Sequence, residues 1–400
     1  MFRVLCVLLA SAQALAGPAH VLFVVDGAPD WTALTAQLPA PDAAFFVVPP
    51  VSEGATPESA AVASAMSTGC PSQRRGVSDA GIPLGLRASA AGAALGAVTD
   101  ACPSDPTVAA FFGSAPDRYD AARVAAAVRD ANISILLGGA SRLFASSTGG
   151  ACFPETKQAL ARSLRECNAS IVGTFGDVSA ALAAECLPMP FMGAAGMPSL
   201  RDMTSAALAR LRASTPGSNP PNTKDSPKCS HHVHTRNRTH AGAPLFLLVA
   251  ADRMDHAAHA GDAAAVTHEA ADVAAAVLAA VYILAHRADA IVVVTGDHAT
   301  PLNGTAHSPE KVPVLVYGHG ARAAAARAIG RSRADDALHP PSINASDLPL
   351  LFPYFPATGS RSCTRGARAD RSWIFIGVAL AAIAVAAACL ALINVRRKKD

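Results

Sequence analysis

Short, continuous apolar runs alternate along this chain with alanine-rich stretches of helical length. That alternation limits the fold more than any other feature of the sequence. HVLFVVDG (20–27), ARVAAAVRDA followed by ISILLGG (122–139), and AAAVTHEAADVAAAVLAAVYILAH followed by AIVVVTGDH (263–298) repeat the same rhythm. Strands apolar on both faces belong in a largely parallel sheet covered by helices on each side, because a one-sided sheet would alternate polar and apolar residues. The expected architecture is a three-layer α/β/α sandwich. In such sheets ligands gather beyond the carboxyl ends of the strands, and Asp26, Asp255 and the pair Asp297-His298 are all expected at such ends.

Both termini read as targeting segments. MFRVLCVLLASAQALAG has a basic Arg3, an apolar run and the small-x-small pattern Ala14-Leu15-Ala16, which predicts a signal peptide over 1–16. Trp373 to Val395 is almost uncharged and long enough to span a bilayer. Arg396, Arg397, Lys398 and Lys399 follow it, which places that end in the cytosol. The expectation is a single-pass type I membrane protein with an α/β domain over 17–360, a stalk over 361–372, a transmembrane helix over 373–395 and a basic tail over 396–400. Its bulk faces the secretory route or the surface. Seven cysteines outside the signal and the span, with no CxxC pair, suit an oxidising compartment better than a cysteine zinc site. Sequons occur at Asn132, Asn168, Asn237, Asn303 and Asn344. A net charge of +3 gives no basis for a nucleic-acid partner. The Pro-, Asn- and Ser-rich stretch over 213–243 reads as a surface-loop insertion, and its His231, His232, His234 and His240 as a solvated tract.

The chemistry concentrates in a few short segments. In RMDHAAHAGD, Asp255 and His259 stand four apart, so one helical turn puts them on the same face. Asp297-His298 closes the run IVVVTGDH, and His307 precedes the strand-like VPVLVYG. Oxygen and imidazole donors together suit zinc. In TPESAAVASAMSTG, Thr56 as N-cap and Pro57 at the first position predict a helix start. Ser59 then lies in the first turn, where free N–H groups and the helix dipole favour an anion.

These segments, in this order, resemble the alkaline phosphatases. PESAAVASAMSTG is similar to the family's nucleophile segment and AVTDACPSDPTVAAFF to its third-metal segment. APDRYD is similar to the segment bearing its phosphate-binding arginine. VAADRMDHAAHAGDA and VVVTGDHAT resemble its two zinc segments. The resemblance implies a phosphate monoesterase with Ser59 as nucleophile and Arg118 gripping phosphate through its planar fork, His256 lying nearby. It implies one zinc on Asp255, His259 and His307, a second on Asp26, Asp297 and His298, and magnesium near Asp105 and Thr107. It also allows a homodimer.

Three departures from the family pattern stand out. Ala250 occupies the position of the magnesium-site glutamate, with Asp252 two residues on as a possible substitute. Glu58 replaces an aspartate beside the nucleophile. Only eight residues separate His298 from His307, where the family carries a long segment. They leave two alternatives: a catalytically impaired surface glycoprotein with a binding role, or a related zinc enzyme acting on phosphodiesters or sulfate esters.

Overall fold

The computed structural model describes residues 17–49, 56–70, 76–101, 105–120, 123–124, 127, 131, 133–138, 170–172, 198–213, 244–304, 306–330 and 341–355. The expected signal, stalk, membrane span and basic tail lie outside the described residues, as do nearly all of the expected loop insertion and most of the helix expected over 122–131.

In chain order the described elements are β1 (Ala19–Val25), α1 (Trp31–Thr35), β2 (Ala43–Val48), α2 (Ser59–Thr68), α3 (Leu84–Ala90), β3 (Ala94–Thr99), α4 (Pro106–Phe112), β4 (Ile135–Gly138) and β5 (Ser170–Val172). There follow α5 (Leu200–Ala213), β6 (Leu245–Ala251), α6 (Arg253–His259), α7 (Ala263–Leu284), β7 (Ala290–Gly296), β8 (Val312–Tyr317), α8 (Ala321–Ile329), β9 (Ser342–Asn344) and a 3₁₀ segment, Ala345–Leu351. The strands form one nine-stranded sheet in the order β5-β4-β3-β6-β1-β7-β8-β2-β9. Its left and centre are parallel. β8 runs antiparallel to both β7 and β2, because it returns over the short connection from β7.

Strand periodicity divides the core into two layers. Leu22 and Val24 of β1 point into a cluster with α2, α3, α4, α8 and the 3₁₀ segment. Val21, Phe23 and Val25 point into the other cluster, with α1, α5 and α7. This is the three-layer sandwich expected from the apolar runs. Phe111, Phe112, Phe246, Phe352 and Phe355 are fully buried in the first of these clusters, each stabilising the fold by about 1.5–3 kcal/mol through apolar burial.

α7 is the one helix among the described residues long and apolar enough to cross a membrane. It lies against α5, with which it shares the second core cluster through Val273, Ala276, Val277 and Ala280. One face of it packs within the domain, while Leu278 and Tyr282 on the rest are exposed.

The parallel centre sets up the site. Adjacent strands β3, β6, β1 and β7 are each followed at once by an aspartate: Asp100, Asp252, Asp26 and Asp297. Neighbouring strands lie about 4.8 Å apart, so one edge of the sheet carries a row of carboxylates.

Candidate metal centre

Two groups of side chains assemble along this edge. Asp26, Asp297 and His298 form the first, and Asp255, His259 and His307 the second; in each, the donor atoms lie within 4.8 Å of one another. Asp26 and Asp297 follow β1 and β7 directly. Asp255 does not sit at a strand end: it lies within α6, one turn from His259, to which it is close (3.4 Å). Gly27 makes room for it. With φ +61, Gly27 turns the chain sharply after Asp26, and a Cβ there would fall 2.1 Å from Asp255 Oδ1.

His307 arrives from the connection between β7 and β8. An isolated bridge pairs Ala299 with Ser308, folding the connection so that the His298 and His307 rings stack at 3.7 Å and 13°. The short loop noted in the sequence therefore brings the two groups against each other.

The histidine hydrogen bonds define what the groups can hold. His259 Nδ1 lies 2.7 Å from the Gly304 carbonyl, and His307 Nδ1 lies 2.8 Å from the Pro57 carbonyl. A carbonyl only accepts, so each Nδ1 carries the hydrogen and each neutral ring turns an Nε2 lone pair inward. Those two Nε2 atoms face each other at 3.2 Å. His298 Nε2 faces Asp26 Oδ1 at 3.2 Å and Asp297 Oδ2 at 3.4 Å, yet neither oxygen has a hydrogen-bond partner. Acceptor atoms turned towards one another, buried in the first group and part-exposed in the second, are suited to a cation between them.

The electrostatics agree. Burial first, then the facing carboxylates of Asp297, Asp255, Asp252 and Asp105, hold the Asp26 carboxyl well above its ordinary range. Burial and then Asp255 push Asp297 up to about 7. Burial, His307 and His259 hold His298 well below the usual imidazole value. A bound metal ion reverses this logic, since it favours ionised carboxylates and neutral imidazoles together. The donor set fits two metal ions.

Ser59 Oγ lies 3.0 Å from His298 Nε2 and is buried. It is the first residue of α2. The helix begins later than Thr56 and Pro57 predict, with extended Glu58 as its N-cap residue. The reason is a partner: the Glu58 carboxylate makes no cap but pairs with Arg118 Nη1. The first backbone N–H groups of α2 are thereby left for an anion. Arg118 is near enough to His298 to bear on its charge. His256 is exposed on α6, within electrostatic reach of Asp105.

Asp105 N-caps α4, accepting from the Thr107 N–H at 3.1 Å. The Thr107 hydroxyl is buried without a partner. Asp252 is buried too; Oδ2 accepts from the Thr99 hydroxyl at 2.8 Å while Oδ1 has no partner. Burial, then Asp105 and Asp100, hold its carboxyl well above the normal range.

Two residues escaped the sequence reading. Asp100 Oδ1 accepts the N–H of Asp252 at 2.8 Å and of Arg253 at 3.3 Å, fixing the entry to α6. Thr300 donates to Asp255 Oδ1 at 2.6 Å and lies 3.3 Å from His298 Nδ1. The aspartate that ends β3 was a findable signal for the first, being like those after β1 and β7. Nothing in the sequence marked Thr300.

A parallel-centred α/β sandwich thus carries two groups of imidazole and carboxylate donors past its strand ends. Residues 150–329 match the family model described as Alkaline phosphatase. The fold is similar to that of Thermus thermophilus alkaline phosphatase, with 17% identity, a TM-score of 0.60 and coverage of 88% of this chain and 93% of that one. It is similar also to alkaline phosphatase from the Antarctic bacterium TAB5, at 16% identity and TM-score 0.58 over 85% and 98% of the two chains. No curated protein matches the sequence. Over residues 150–329 the chain is thus similar to that family model, and its fold is similar to that of these two alkaline phosphatases.

Proposed function

We propose that the chain hydrolyses phosphate monoesters through a phosphoserine intermediate on Ser59, with zinc at the two groups. The observation that carries this reading is the placement of Ser59 Oγ, at the head of α2 and 3.0 Å from His298 of the buried group. Mixed carboxylate and imidazole donors are the ligands zinc prefers. Asp26, Asp297 and His298 would hold one ion, and Asp255, His259 and His307 the other. Bound there, zinc would supply Lewis acidity and lower the pKa of nearby hydroxyls.

The chain's own residues supply the rest. The free N–H groups at the start of α2 and the guanidinium of Arg118 orient the phosphoryl group and take up its charge. Ser59 Oγ gives up its proton to solvent and attacks phosphorus in line with the ester oxygen; the Oγ–P bond forms, the P–O bond to the alcohol breaks, and the alcohol leaves with a proton taken back from solvent. Water then attacks the phosphoserine, phosphate departs, and the Ser59 hydroxyl is restored. His256, exposed beside the site, is placed to meet the phosphate or its leaving group.

Magnesium enters the proposal in altered form. Ala250 faces the core and offers no donor, but Asp252 brings an unpartnered carboxylate oxygen and Thr107 an unpartnered hydroxyl. With Asp26 and Asp105 these make an all-oxygen set, which suits magnesium rather than zinc.

One observation favours a second reading. Glu58 holds the arginine that should grip phosphate, as it would in a surface glycoprotein that binds phosphate esters without turning them over. The sequence expectations of a signal, a membrane span and an oxidising compartment place either protein outside the cytosol.

The deciding assay uses the purified full chain in detergent, with zinc and p-nitrophenyl phosphate, beside Ser59→Ala. Zinc-dependent hydrolysis that falls to background in the variant is the expected result. Two bound zinc ions with no turnover would move the conclusion to the binding protein. Preference for a phosphodiester or sulfate ester would move it to a related zinc enzyme.

A further inference from the structure

Thr300 is fully buried, offers no charge, and is not itself one of the metal-binding donors. It is nevertheless joined to one member of each group. A carboxylate only accepts, so the 2.6 Å contact to Asp255 Oδ1 uses the threonine hydrogen. What remains on the hydroxyl is lone pairs, and these face His298 Nδ1 at 3.3 Å. That nitrogen must then carry the hydrogen, which leaves the His298 Nε2 lone pair turned towards Asp26, Asp297 and Ser59.

The same oxygen of Asp255 is crowded by the backbone of Gly27. That oxygen lies where a Cβ on Gly27 would stand, so the carboxylate meets both bare backbone and the threonine hydroxyl. Neither contact leaves it freedom to rotate. Ordering Asp255 therefore orders Thr300, and ordering Thr300 selects the ring tautomer of His298.

We propose that Thr300 is a positioning residue common to both metal groups, setting the Asp255 carboxylate of one and the His298 ring of the other through a single hydroxyl. The inference rests on reading the two groups as metal sites. Partners at this remove from a metal are worth about 10–100-fold in its affinity.

The experiment is zinc binding to the purified full chain, by competition with a chelating dye, together with the visible spectrum of the cobalt-substituted chain. Thr300→Val keeps the shape and removes both bonds, whereas Thr300→Ser keeps the hydroxyl. In the valine variant both ions should bind about 10–100-fold more weakly, with altered cobalt bands; the serine variant should stay within a few-fold of wild type. If valine prevents folding, judged by far-UV circular dichroism, Thr300→Ala gives the same comparison. Wild-type affinity without the hydroxyl would overturn this inference alone, and so would weakening confined to one ion. A wild-type chain that takes up no zinc would overturn it together with the proposed function. Hydrolysis is not part of the readout, so the two failures remain distinct.

Discussion

Asp26, Asp297 and His298 are buried where two central strands end, their backbones fixed by the sheet on either side. Asp255, His259 and His307 have similar donors but hang from a seven-residue helix and a loop, and His259 is exposed. The same ligand chemistry thus stands in two settings. In the buried group burial and then Asp297 raise the Asp26 pKa, and burial and then Asp255 raise that of Asp297, so a cation there would offset the cost of ionising them. In the outer group water reaches a ligand, so an ion there can exchange and can meet solvent. If both groups hold metal, the buried one should retain its ion and the outer one should exchange it.

The comparison would be broken most sharply by turnover. Asp297→Asn should lower kcat/KM for p-nitrophenyl phosphate by roughly 10³-fold or more, a loss of the size expected when a central charge-stabilising group is removed. Added zinc should not restore it. His259→Ala should cost less and recover in part with excess zinc, because its site stays open to the metal. Equal, unrescued losses would show that exposure does not separate the two groups.

A smaller effect concerns order of release. Dialysis of the full chain against a chelator, followed by metal analysis, should show two phases, the faster belonging to the outer group and abolished in His259→Ala. A single phase would mean the ions leave together.

Magnesium sharpens the contrast further along the row of aspartates. Asp252→Asn should weaken a magnesium-dependent rise in Tm by about tenfold in the concentration required, leaving the zinc content at two ions. An unchanged magnesium response would remove Asp252 from the site.

The smallest effect lies at the other end of β1. His20 is buried against Phe352 and Phe355. Burial, then Arg287 and Arg327, lower its pKa to about 3. The unfolded chain protonates this histidine below about pH 6.5 while the folded chain does not until about pH 3, so stability falls as pH drops through that window, by at most about 1.4 kcal/mol per pH unit. His20→Phe should flatten this slope in urea melts between pH 4 and 6. A slope identical to wild type would exclude His20 as its source.

Much of this was legible in the sequence for a physical reason. A strand apolar on both faces announces a covered parallel sheet, so β1 and β7, and Asp26 and Asp297 beyond them, were visible as a pattern. Asp255 and His259 were visible because four residues make a helical turn. The start of α2 was misread, because capping preferences at Thr56 and Pro57 are local, whereas the pull of Arg118 on Glu58 comes from a residue 60 positions away. The antiparallel course of β8 depended on a return connection that no run of residues encodes. Thr300 was invisible because a threonine after a histidine signals nothing until the fold brings Asp255 to its hydroxyl.

The row Asp100, Asp252, Asp26 and Asp297 also bears on how the protein comes to exist. These strands are neighbours in the sheet but come from distant parts of the chain, so the row forms only as the central sheet closes. Closing it brings negative charges side by side in a place water cannot reach. For a newly made chain, whatever neutralises these carboxylates, a proton or a cation, therefore favours the closing of the central sheet.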